Sequence, residues 1–127
     1  MRLLLDTHAL LWWVAGDERM PISAREAIDA ATETFASAVS AMEIATKFRI
    51  GKLPEGRLLA GDFEVQLLAH GFSSLSLTAR HAQFAGNLLI ANKDPFDRML
   101  IAQSIIEGIP LVSNEVGFDH FGVSRVW

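Results

Sequence analysis

Four acidic side chains, Asp6, Glu43, Asp97 and Glu115, lie beside apolar stretches of the kind that build strands and helices. Asp6 closes the run Leu3-Leu4-Leu5, and Glu115 follows Pro110-Leu111-Val112-Ser113-Asn114. Glu43 and Asp97 lie near the starts of two apolar helical stretches. Four carboxylates gathered in one cleft repel one another unless a cation sits among them. Hard oxygen donors suit Mg²⁺, with Mn²⁺ as the other choice. One or two such ions at a phosphodiester activate water and stabilise the leaving oxygen, two ions standing about 3.5–4 Å apart. No side-chain nucleophile is then required. That agrees with the lack of cysteine and of a Gly-x-Ser-x-Gly motif.

The elements that would position these acids follow from periodicity and punctuation. Arg2 to Leu5 predicts a buried strand, and Thr7 to Ala15 a helix stopped at Gly16-Asp17. Ser23 to Ala31 predicts a helix opened by the capping box Ser23-Ala24-Arg25-Glu26. Thr34 to Ala36 suits a short strand, and Ser40 to Ile50 a helix ended by Gly51 and Pro54. Leu58 to His70 predicts one helix, Phe72 to Leu77 a strand, and Thr78 to Ile90 a further helix. Asp94-Pro95 opens a helix that runs to Glu107 and stops at Gly108. Leu111 to Ser113 and Val123 to Val126 suit the last strands. Strands alternating with helices favour a three-layer α/β/α sandwich around a mostly parallel sheet. Ligands of such folds bind beyond the carboxyl ends of the strands, where helix amino ends also point. Asp6, Glu43, Asp97 and the segment Ser113 to Glu115 would meet at that edge.

Each acid also has a purely structural use. Asp6 can cap the helix at Thr7. Glu43 fits a capping box with Ser40, and Asp97 favours the dipole of a helix capped by Asp94. Glu115 suits a solvated loop. Four histidines, His8, His70, His81 and His120, show no metal-ligand spacing. Trp12 and Trp13 suit the core. Lys47, Arg49 and Lys52 form a basic cluster after Glu43, either a solvated helix face or a contact for phosphate.

Composition sets the outer limits. The chain has 127 residues, half of them hydrophobic, which fits a single domain over residues 1–127 with a full core. No apolar stretch is long enough to cross a bilayer, and the chain is expected in the cytoplasm. Net charge is −4, so any grip on nucleic acid must come from local basic groups and metal ions rather than bulk charge. Rival phosphate chemistries lack their motifs. There is no Gly-Lys-Ser/Thr loop, and His8 stands where an aspartyl phosphatase wants a second Asp.

These residues resemble the PIN-domain ribonucleases, in particular the VapC-type toxins of bacterial toxin–antitoxin pairs. The likeness runs along nearly the whole chain. It is carried by Leu3 to Trp13, by Ser37 to Lys47, by Asp94-Pro95-Phe96-Asp97-Arg98-Met99-Leu100-Ile101-Ala102-Gln103, and by Pro110 to Glu115 with Phe118 and Phe121-Gly122-Val123. The resemblance implies that Asp6, Glu43 and Asp97 are the metal-site acids, with Asp97 rather than Asp94 in the family's register. It implies that Thr7 and Ser113 line the site. The fourth acid of the family is usually Asp, whereas this chain has Glu115, whose extra methylene changes its reach. Apart from the resemblance, the basic side chains Lys47, Arg49, Lys52 and Arg98 near these acids are expected to position substrate. The resemblance further implies a homodimer, a small antitoxin protein as partner, and structured RNA as substrate. The expectation is a divalent-metal-dependent endoribonuclease. Two other classes stay open: a PIN-like module that binds RNA or protein without cleaving it, and a metal-dependent phosphatase acting on small phosphate esters.

Overall fold

Three consecutive leucines organise the molecule. In the computed structural model, which describes residues 1–127, Leu3, Leu4 and Leu5 of strand β1 (Arg2–Leu5) are each fully buried. Successive strand side chains point to opposite faces. Leu3 and Leu5 accordingly join one core with Ala9, Leu10, Met20, Ile28 and Ile44, while Leu4 joins another with Val39, Leu100, Ile101, Leu111 and Phe118. A strand buried on both faces needs helices on both sides, so the chain forms three layers.

The remaining strands are β2 (Glu33–Ser37), β3 (Ser73–Leu75), β4 (Leu111–Val112) and β5 (Arg125–Val126). Their order in the sheet is β3-β2-β1-β4-β5, and every pairing is parallel. The register sets Leu5 beside Val112, and the Asp6 N–H donates to the Val112 carbonyl at 3.0 Å. The residues that follow β1 and β4 therefore emerge together at one edge.

The helices are α1 (Thr7–Ala15), α2 (Ile22–Ala30), α3 (Ala38–Arg49), α4 (Arg57–Gly61), α5 (Phe63–Ala69), α6 (Ala79–Asn87) and α7 (Pro95–Glu107). The α/β/α sandwich and the parallel sheet agree with the expectation. No helix is long and apolar enough to cross a membrane. Gly16 and Gly108, at φ 64° in the left-handed region, end α1 and α7 as their positions predict.

Three local expectations fail. Helix α2 starts at Ile22 behind Pro21 without a side-chain cap, so Ser23 lies inside it and forms no capping box. Helix α3 is capped by Ser37, whose hydroxyl accepts from the Val39 N–H. Ser40 and Glu43 therefore lie inside α3, and the capping-box use of Glu43 is gone. The single helix predicted from Leu58 to His70 is broken at Asp62, whose extended backbone ends α4 and whose side chain caps α5 through the Val65 N–H. Apolar periodicity does not register such a break, because both halves bury their leucines, Leu59 and Leu67, in the same core.

Candidate active site

Asp6 leaves β1 at the carboxyl edge of the sheet and caps α1 through the Ala9 N–H at 2.8 Å. The same side chain thus caps α1 and lines the cleft. Only 8% of Asp6 is exposed. Burial pushes its carboxyl up to about 6, against the pull of the Ser113 hydroxyl, the Ala9 N–H and the charge of His8. Ser113 follows β4, is fully buried, and also accepts the Glu115 N–H at 3.0 Å, which folds the chain back toward the cleft.

Glu43 reaches the same point from the second turn of α3. Its Oε1 accepts the Thr7 hydroxyl at 2.6 Å, and its Oε2 accepts the Lys47 ammonium at 2.5 Å. A hydroxyl has one hydrogen to give, so the 2.9 Å contact between Thr7 and Ser40 has Ser40 donating. Ser40, Thr7 and Glu43 form a directed chain that fixes the carboxylate across two helices. The pairing with Glu43 holds the Lys47 ammonium in its charged form over a wider pH range, and Asp94 and Asp97 add to that.

Helix α7 supplies the third side. Asp94 caps it, accepting from the N–H groups of Phe96 and Asp97. Asp97, one turn in, is half-buried and accepts the Asn92 side-chain N–H at 3.2 Å. Burial raises its carboxyl above the usual range, opposed by the Asn92 bond and reinforced by the charges of Asp94, Glu43 and Glu115. These groups share one polar cleft of about 140 Å³. Asp6, Glu43, Asp94, Asp97 and Glu115 line it together with Lys47. A larger groove of about 440 Å³, walled by Val65, Leu67, Leu68 and Phe72, lies elsewhere and holds no such chemistry.

The structure sorts the sequence candidates. Asp6, Glu43, Asp97, Glu115, Thr7 and Lys47 line the cleft, and Ser113 lies fully buried after β4, where its hydroxyl accepts the Glu115 N–H. Arg49 and Lys52 are exposed at the end of α3 and outside the cleft. Arg98 turns away from it. Its guanidinium donates to the carbonyls of Ala85, Gly86, Leu88, Ile90 and Asn92. Substrate positioning by Arg98 is thereby corrected to a clamp on the α6–α7 connection, because all its donors face backbone oxygens. His8 and Asp94 also line the cleft, and Asn114 and Asn92, which no sequence pattern singles out, join it, Asn92 through its bond to Asp97. Asn92 lies in an irregular loop with no periodic signal. The Lys47 contact was readable in principle from its i,i+4 spacing to Glu43.

The model of the PIN domain matches residues 3–123. The chain belongs to the PIN-domain family. Among curated proteins, Ribonuclease VapC22 of Mycobacterium tuberculosis (strain ATCC 25618 / H37Rv) is 28% identical to this PIN domain over 124 residues, 89% of this chain and 86% of the relative. Solved structures share the fold at low identity. VapBC2 from Rickettsia felis, bound to a DNA fragment from its promoter, superposes with a TM-score of 0.67 at 14% identity over 100% of both chains. VapBC-1 from nontypeable Haemophilus influenzae gives 0.65 at 13% identity, over 98% of this chain and 96% of the other.

The donor set of this PIN domain suits a hard divalent cation. Five carboxylates face one ammonium, and burial strains two of them, Asp6 and Asp97, toward protonation. As the side chains stand, no three acidic or histidine groups are close enough to share one ion.

Proposed function

We propose that this PIN domain is a divalent-metal-dependent endoribonuclease and the toxin of a toxin–antitoxin pair. The observation that carries the reading is the concentration of five carboxylates around one lysine at the carboxyl edge of a parallel sheet. Keeping that much like charge in a small cleft is costly without a cation to share it. The relative named a ribonuclease supports the reaction, and the VapBC neighbours support a small DNA-binding antitoxin as partner. A homodimer in the cytoplasm acting on structured RNA completes the reading.

Asp6, Glu43 and Asp97 would hold the ion, with Glu115 as a longer-armed or water-mediated fourth ligand. A bound Mg²⁺ or Mn²⁺ supplies charge for the phosphoryl oxygens and a more acidic water. The protein's own groups do the positioning. Ser40 and Thr7 orient Glu43, the Ala9 N–H orients Asp6, and Asn92 orients Asp97. Leu100 and Phe118 form the apolar floor of the cleft.

The test is cleavage of a panel of structured RNAs with Mg²⁺ or Mn²⁺, beside a small chromogenic phosphate ester. RNA cut by the native chain and spared by Asp6→Asn supports the nuclease. Turnover of the ester alone indicates a phosphatase. RNA binding without any cleavage indicates a non-catalytic module.

A further inference from the structure

We propose that the Lys47 ammonium is the resident counter-ion of the carboxylate cleft, and that a divalent cation must displace it from Glu43 to enter. The inference rests on the metal-site reading above and adds a regulatory step to it. Glu43 is buried, and both of its oxygens are already engaged, one by Thr7 and the other by Lys47. The Thr7 bond is buried and backed by Ser40, so it is the fixed half of the pair. The Lys47 bond is the movable half. Its side chain is 36% exposed, against 7% for that of Glu43. A four-carbon stem with a solvated end can swing outward at little cost.

The arrangement of the other acids agrees. They line the cleft without converging tightly enough for three to share an ion. An ammonium already lying on Glu43 gives them no reason to close. Exchange of a single charge for a double one supplies that reason, and Glu43 Oε2 is the group both cations want. The released ammonium then stands at the cleft mouth, one helical turn from Glu43, where a phosphate oxygen of RNA is its natural new partner. Metal entry and substrate capture are coupled through one side chain. In the absence of metal, the same side chain offsets repulsion among the acids.

Two effects of opposite sign follow for Lys47→Met. The metal-free protein should melt at a lower temperature, and Mn²⁺ should bind more tightly. A partly exposed ion pair plus the repulsion between the two cations corresponds to an affinity gain on the order of three- to tenfold. Isothermal titration of the full chain with MnCl₂ measures it, with circular dichroism melts confirming that the variant is folded. Lys47→Gln serves if the Met variant is not. A second reading comes from ¹⁵N-labelled lysine. The Lys47 Nζ signal should shift when diamagnetic Mg²⁺ is added to the native chain and should stay fixed in Asp6→Asn. Tighter Mn²⁺ binding together with the Nζ shift supports the displacement. Equal or weaker Mn²⁺ binding by both Lys47 variants, with the native chain still binding, overturns the counter-ion role and leaves the metal site standing. Failure of the native chain and both variants to bind Mn²⁺ overturns the metal-site reading and this one with it.

Discussion

At Asp6, burial and the proposed metal-site role pull in opposite directions. The carboxyl is raised to about 6 from an ordinary 3.8, so without metal the folded state holds its proton more tightly than the unfolded chain does. Stability from this group is then full below the unfolded value and falls as pH rises through the folded one. The loss is about 3 kcal/mol at most, at roughly 1.36 kcal/mol per unit. Asp97 shifts in the same direction and adds to the slope. Metal-free native protein should therefore lose stability between pH 4 and 7, and Asp6→Asn should flatten that loss while keeping the α1 cap, since Asn also caps well. Urea melts at several pH values, in chelator, check this. A native profile that rises over this window would contradict it. The neighbouring acids divide by role. Asp6→Ala, Glu43→Ala and Asp97→Ala should each abolish RNA cleavage in a folded chain. Asp94→Ala should lower stability by about 1 kcal/mol through its lost cap. Cleavage assays paired with melts separate the cases, and a fully active Asp97→Ala beside a dead, folded Asp94→Ala would reverse the assignment.

The connection between α6 and α7 shows how an element without regular structure becomes exact enough for chemistry. Leu88 to Asp94 has no helix or strand, yet five of the carbonyls in and before it converge on the Arg98 guanidinium. One of those carbonyls belongs to Asn92, whose side chain accepts the Asp94 N–H and donates to Asp97. Arg98 thus positions Asp97 through Asn92 without touching the cleft. A planar fork with five donors can satisfy this set, whereas an ammonium cannot reach it. Arg98→Lys should cost about 1–3 kcal/mol and should weaken Mn²⁺ binding as well as melting temperature. Asn92→Ala should weaken Mn²⁺ binding with little change in melting. Unchanged metal affinity in both variants would confine Arg98 to a structural role.

Over the whole molecule, a net charge of −4 must be reconciled with the RNA substrate of the proposed reading. On the proposed metal-site reading, Mg²⁺ or Mn²⁺ would do part of this by filling the acidic cleft, and it should also raise the melting temperature by binding only the folded state. That shift should shrink in Asp6→Asn and Asp97→Asn. On the same reading the rest would fall to exposed basic groups outside the cleft, of which Arg49 and Lys52 flank the end of α3. Neutralising them on an Asp6→Asn background should weaken binding alike across unrelated RNAs. It should also flatten the log–log salt slope by roughly 0.7 for each lost phosphate contact. Binding titrations at several salt concentrations test it, and an unaltered slope would remove these residues from the RNA path.

The sequence by itself determined at which edge of the sheet Asp6 and the segment after Val112 emerge together. Leu3-Leu4-Leu5 ahead of Asp6, and Leu111-Val112 ahead of Ser113, are runs that only a doubly covered strand can bury, and a parallel sheet sends their following residues to one side. Asp94-Pro95 announced the start of α7, and with it the place of Asp97, because cap chemistry is local. Contacts that cross between elements were not legible. Nothing near Glu43 in the chain reveals that Thr7 holds one of its oxygens, or that Ser40 supports Thr7 rather than capping α3. Arg98 beside Asp97 looked like a substrate contact, since adjacency in sequence hides that consecutive helical residues point in different directions. Asn92 carried no pattern at all. Tertiary structure decided these points because each depends on how two or three separate segments approach one another, which no local propensity encodes.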